Sequence, residues 1–147
     1  HKSGGGHIIN QSPPLLDGDI LFKTLQGKTA YMISKWGMTL GALGLAEEYR
    51  GTGIAANTLW PITPIESFAV KNNNLGDEKL WRKPDIISDS ILEILKEDPK
   101  EFTGNQLIDE IYLREKGYTD FEQYQCVPGH EPPKLSDINF GNLNLEK

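Results

Sequence analysis

The chain has 147 residues, 37% hydrophobic and 24% charged, proportions that suit one globular domain with a genuine core. Its net charge of -6 gives no general attraction to nucleic acid or to an anionic membrane, and no apolar run is long enough to span a bilayer. The single cysteine, Cys126, excludes an internal disulfide framework and agrees with a reducing compartment, and nothing reads as a signal peptide.

The chain starts at His1 rather than Met, which predicts a fragment, a processed product or the visible part of a longer protein. "HIINQS", residues 7–12, predicts a short buried strand, and "PPLLDGD" then breaks regular structure. From about Lys28 to Tyr49 runs the longest helical signal, with Ala30, Ile33, Gly37, Leu40, Gly44 and Leu45 as a small or apolar stripe. Gly37, Gly41 and Gly44 are poor helix formers, each costing up to about 1 kcal/mol against Ala. Three in one helix predict the close approach of another backbone, or equally a helix packed tightly on its own sheet.

"GTGIAANTLWP" predicts a turn and then a strand ending at Pro61. A short helix is expected near Ile65 to Lys71, then an exposed loop at "NNNLGDEK". "KPDIISDSILEILKEDP" is an amphipathic helix signal, with Ile87, Ile91, Leu92 and Leu95 on one face. "FTGNQLIDEIYL" predicts a final strand, and from about Gly117 the chain is polar and Pro-rich, an extended tail. Strands alternating with helices predict an α/β fold with a parallel sheet. Three strands are few for a doubly wound domain, so residues 1–116 read as half of such a domain and 117–147 as its tail.

Tyr31 and Lys35, in "AYMISKWGM", lie at positions i and i+4 and share a helix face. An ammonium near a phenol favours the phenolate, and such a tyrosine can exchange a proton with a substrate hydroxyl. The spacing alone is weak, because Tyr112 and Lys116 repeat it. Context separates the two pairs. "HIINQSPPL", "AYMISKWGMTLGALGLAEEYRGTGIAANTLWP" and "FTGNQLIDE" resemble, in order and spacing, the C-terminal half of a short-chain dehydrogenase/reductase, most nearly the hydroxysteroid dehydrogenase-like proteins. The likeness covers roughly residues 5–130. It implies the C-terminal half of a Rossmann-type doubly wound sheet.

It also implies Tyr31 as the acid/base and Lys35 as the group that lowers its pKa and hydrogen-bonds the nicotinamide ribose. Ser12 is the candidate for the serine that orients the substrate oxygen, although it lies 19 residues before Tyr31 and is followed by Pro13. "WPITPIES" would meet the nicotinamide end of NADP or NAD. Where most relatives have Pro-Gly, this chain has Pro61 and Ile62. The common register puts the amide donor at Pro64, which has no N–H. One extra residue instead gives Ile65 as the backbone contact and Ser67 as the hydroxyl, with a mobile lid over 62–70 as the alternative. Tyr112 and Lys116 fall outside the motif.

The glycine-rich turn that would seat a pyrophosphate at a helix N-terminus is missing, since "SGGGH" precedes a strand. A half sheet leaves an apolar edge and face open, which predicts a missing N-terminal half or a partner chain. His1, His7 and His130 lack metal-ligand spacing, Asp109 and Glu110 read as solvated or capping groups at a strand end, and Cys126 lacks a cationic neighbour in sequence. Two functions stay open: an oxidoreductase acting on a small carbonyl or alcohol, or a scaffold derived from that fold. The resemblance further implies a homodimer through the tyrosine-bearing helix, and a mitochondrial or peroxisomal location, although the ending "NLNLEK" shows no peroxisomal tripeptide.

Overall fold

The computed structural model describes residues 5–16, 18–72 and 76–135. In chain order these form β1 (Gly6–Gln11), α1 (Gly18–Leu25), α2 (Thr29–Glu48), β2 (Ile54–Trp60), α3 (Phe68–Asn72), α4 (Asp85–Ile94), β3 (Gln106–Ile108) and α5 (Asp109–Glu115), with 3-10 turns at Glu78–Leu80 and Glu122–Tyr124. The three strands make one parallel sheet in the order β1-β2-β3, so the α/β class expected from the alternation is the one observed. The chain divides into two compact units, His1–Trp60 with Ile91–Ile108, and Pro61–Ser90 with Asp109–Lys147.

The first unit is built on β2, whose five interior residues are all buried. Both its neighbours are parallel, which explains why "IAANTLW" reads as a nearly continuous run rather than an alternation. Asn57, buried in the middle of that run, is hydrogen-bonded at both ends of its amide. Its Nδ2 donates to Phe102 O at 2.9 Å, and its Oδ1 accepts from the N and Nδ2 of Asn105, each at 2.9 Å. At the other edge Gly6 N donates to Gly53 O at 2.8 Å, and a Cβ on Gly5 would lie 2.3 Å from that same oxygen. Only glycine fits there.

Helix α2 lies against β1 and β2 and buries Met32, Trp36, Thr39, Ala42 and Ala46. The small and apolar stripe points outward, with Ile33 61% and Leu40 59% exposed. The helix is apolar on two faces, and spacing alone does not choose between them. A Cβ at Gly37, Gly41 or Gly44 would meet nothing within 4 Å, so these glycines are not packed on the chain's own sheet. Helix α4 shows the same rotation: Ile86, Ser90 and Ile94 are buried, whereas Leu92 and Leu95 are exposed. Helix α1 occupies a stretch for which the sequence suggested only a break.

The second unit has its core in Ile86, Leu113, Phe121 and Tyr124, with Ile65, Ile87 and Tyr118 packed against it. Residues 118–135 carry little regular structure, yet Phe121 and Tyr124 are core residues, and Tyr124 donates its hydroxyl to Asp89 at 2.6 Å. The expected final strand is shorter than "FTGNQLIDEIYL". It stops at Ile108, and Asp109 opens α5, accepting the Glu110 N–H at 2.7 Å and the Ile62 N–H at 2.9 Å on one carboxylate oxygen. Acidic residues at the start, Arg114 in the last turn and Gly117 at φ +90° are helix signals that outweigh the apolar alternation. Asp109 and Glu110 are therefore buried at a helix start rather than solvated at a strand end.

Burial pushes the Asp109 carboxyl up to about 6, against the lowering effect of the Ile62 and Glu110 amides and of Arg82. The folded chain thus binds a proton between roughly pH 4 and 6 that the unfolded chain does not, so ionised Asp109 lowers stability at neutral pH and ceases to do so as pH falls. Glu110 behaves in the opposite sense: burial raises it, but hydrogen bonds from Arg82 and Arg114 hold it below its ordinary value. Its contribution is lost on acidification, in parent and variant alike. The urea midpoint of Asp109→Asn relative to the parent should be more favourable above about pH 7 than below about pH 4.5. A difference that does not change with pH would contradict this.

Candidate active site

Tyr31 and Lys35 sit in the first two turns of α2, on a side that is only partly covered. The Lys35 ammonium donates to the carbonyl of Gln11, the last residue of β1, at 3.1 Å. It lies 6.0 Å from the centre of the Tyr31 ring and 5.6 Å from that of Trp60, at the end of β2. The lysine is therefore held by a strand end and an indole face, and it stands beside the phenol ring. An ammonium has three donors, so two remain after the Gln11 bond.

Tyr31 is 50% exposed, and burial of its remaining surface pushes the phenol above its ordinary value. This is opposite to the lowering expected from a nearby ammonium. Lys35 is instead tethered to the Gln11 carbonyl, 6.0 Å from the centre of the ring. Tyr112 and Lys116 repeat the contact at 5.2 Å, but Tyr112 is buried.

Ser12 is wholly buried, and its hydroxyl is paired with that of Thr39 at 2.9 Å. Thr39 also reaches the Pro13 carbonyl at 2.7 Å, and Trp36 Nε1 donates to Pro14 O at 3.2 Å. The Ser12-Pro13-Pro14 step is thus pegged to α2 by two of its inward-facing residues. Ser12 shares the end of β1 with the Lys35 anchor but does not reach the surface that Tyr31 presents.

Pro61, Ile65 and Ser67 belong to the second unit. Pro61 is buried at the exit of β2. Pro64 accepts from Arg82 N at 2.9 Å, and Glu66 N donates to Arg82 O at 2.8 Å. This leaves the Ile65 N–H between them without a hydrogen-bond partner among the described residues. Ser67 is exposed, and its hydroxyl accepts from Val70 N at 3.4 Å at the start of α3.

Thr39, Trp60, Gln11 and Arg82 were not singled out from the sequence. Trp60 was within reach, since it opens the "WPITPIES" stretch. The others act through a hydroxyl, a main-chain carbonyl and a main-chain pairing, which leave no spacing to read. Among the described residues no cluster of His, Cys, Asp or Glu could hold a metal ion, and no helix is long and apolar enough to cross a membrane.

No protein-family model matches the chain. Hydroxysteroid dehydrogenase-like protein 2 of Mus musculus is 47% identical over 138 residues, which are 93% of this chain and 27% of that protein. A solved short-chain dehydrogenase from Mycobacterium thermoresistibile is 44% identical, with a TM-score of 0.75, over 88% of this chain and 45% of that one. The chain carries part of a short-chain dehydrogenase fold. A provisionally assigned dehydrogenase from Xanthomonas campestris superposes with a TM-score of 0.80 at 31% identity, over 90% of this chain and 48% of that one. The short-chain dehydrogenase portion seen here thus spans about a quarter of the curated relative and just under half of each solved chain.

Thr39→Val keeps the shape of the peg and removes its hydroxyl. It should lower stability by about 1–3 kcal/mol, because the Ser12 hydroxyl and the Pro13 carbonyl lose a buried partner. A urea midpoint equal to that of the parent would mean that the peg contributes nothing.

Proposed function

We propose that this chain supplies part of an NAD(P)-dependent oxidoreductase that moves hydride between nicotinamide and a carbonyl or secondary alcohol. The observation that carries the reading is the pairing of Tyr31 and Lys35 on one side of α2, with the ammonium anchored to the end of β1. Tyr31 presents an accessible phenol, so it is the group to exchange a proton with the substrate oxygen. Lys35, with two donors to spare, would hold the ribose hydroxyls and, once cofactor and substrate exclude water, favour the phenolate. The unpaired Ile65 N–H suits a carboxamide acceptor, which Pro64 cannot serve. Pro61 would shape the approach, and the Ser67 hydroxyl would meet a phosphate. The nicotinamide, as NADP or NAD, supplies the hydride acceptor or donor. Mitochondrion or peroxisome is the compartment that the resemblance proposes.

Ser12 fits its assigned role least well. Its burial against Thr39 favours the second reading, a non-catalytic scaffold that keeps the fold for assembly. Cofactor binding separates the two. NADPH or NADH should raise the melting temperature of the intact protein, and Tyr31→Phe should lower turnover by about 10²- to 10⁴-fold with little change in that stabilisation. Unchanged turnover in Tyr31→Phe would remove Tyr31 from the chemistry, and no thermal response to either cofactor would leave the scaffold reading.

We also propose that α2 pairs with a second copy of itself. Ile33 and Leu40 stand on its outer face with Gly37, Gly41 and Gly44, which allow a close approach. Leu40→Asp should shift the intact protein from dimer to monomer in sedimentation velocity. A dimer that persists in Leu40→Asp would place the interface elsewhere.

A further inference from the structure

Arg82 is the largest of the fully buried side chains, 1% exposed, and sits where three separate stretches meet. Its main chain bridges Ile65 in the parallel sense and Gln125 in the antiparallel sense. On one side it bonds Pro64 O and Glu66 N, as described. On the other, its neighbour Lys83 donates its N–H to Tyr124 O at 2.7 Å. Its guanidinium is paired with Glu110 on α5 and with Glu131 in the segment that follows. Glu131 in turn accepts from Gln125 Nε2 at 3.1 Å, while Gln125 Oε1 accepts from Gly129 N at 2.8 Å. A second fastening joins Leu135 N to Ile62 O at 2.6 Å. Residues 124–135 therefore form a strap across the back of the 62–66 stretch, tied to it through Arg82.

The parallel bridge has a directional consequence. With Pro64 O and Glu66 N both turned toward Arg82, the Ile65 N–H between them must point the other way. We infer that Arg82 is a positioning residue that aims the Ile65 N–H, and that Glu131 on the strap holds Arg82 in the pose that does so. The inference rests on the reading of Ile65 as a contact of the nicotinamide carboxamide, and it adds the strap as the element that sets cofactor affinity. The guanidinium suits this post because its planar fork pairs with two carboxylates at once, whereas a lysine would offer one point charge.

Glu131 is the residue to change, because its side chain is 62% exposed and Arg82 keeps Glu110 when it is lost. In the intact protein, Glu131→Ala should speed hydrogen exchange of the Glu66 amide by about tenfold, the loss of one charge-assisted hydrogen bond. The KM for NADPH or NADH should rise more than kcat falls, and Glu131→Gln, which keeps an acceptor, should recover part of both effects. Unchanged exchange across residues 62–67 in a folded Glu131→Ala would overturn the strap. Faster exchange with an unchanged cofactor KM would overturn its link to affinity. A parent protein that binds neither cofactor would instead defeat the functional reading, and the exchange result would still decide whether the strap holds Arg82.

Discussion

A strand buried on both faces has to pair its main-chain N–H and C=O groups without help from water, and β2 is such a strand. Its two parallel neighbours take the ladder bonds on either side. Its one buried amide side chain, Asn57, is closed by the turn at residues 102–105, which also gives Thr103 Oγ1 to Ala56 N and Gly104 N to Ala56 O. That turn delivers the chain into β3. The sheet, the entry to β3 and the platform for α2 all depend on this one arrangement, and α2 in turn carries Tyr31 and Lys35. The second unit solves a similar problem differently. There a buried guanidinium, not a strand, gathers the chain, and each of its carboxylate partners comes from a separate stretch.

The α/β class was legible because a parallel strand buried on both faces, as β2 is, leaves a nearly continuous apolar run, and the helices between the strands leave a different period. The tyrosine–lysine pair was legible only through its motif, since Tyr112 and Lys116 show the same spacing without the exposure. What escaped was rotational and terminal. In α2 and α4 the apolar residues exist on more than one face, so the pattern marked a helix without marking its inside. At Asp109 the apolar alternation of "QLIDEIYL" fits a strand as far as Ile108, while the capping carboxylate and the later Gly117 belong to a helix. Two grammars overlap there. Arg82 escaped for another reason, because a charged residue in a loop gives no hint that three stretches will close around it.

The site itself shows how position and activation differ. Lys35 is placed beside Tyr31 by the carbonyl of Gln11, yet its charge does not reach the phenol strongly enough to offset burial. Charges close to solvent are screened, and the same pair in a closed, dry pocket would interact several times more strongly. The pair is preorganised in geometry, and its electrostatics depend on what covers it.

The pegs between α2 and the end of β1 have a meaning apart from stability. A helix with apolar residues on two sides has two rotational phases of similar hydrophobic merit, one presenting Met32, Trp36 and Ala42 to the sheet and another presenting Ile33 and Leu40. Hydrophobic burial is non-directional and does not decide between them. Hydrogen bonds are directional, and the Thr39 hydroxyl and the Trp36 indole N–H find the Pro13 and Pro14 carbonyls only in the first phase. They act as a key against a wrong turn of the helix, and it is this phase that leaves Tyr31 and Lys35 side by side at the open end of the strand.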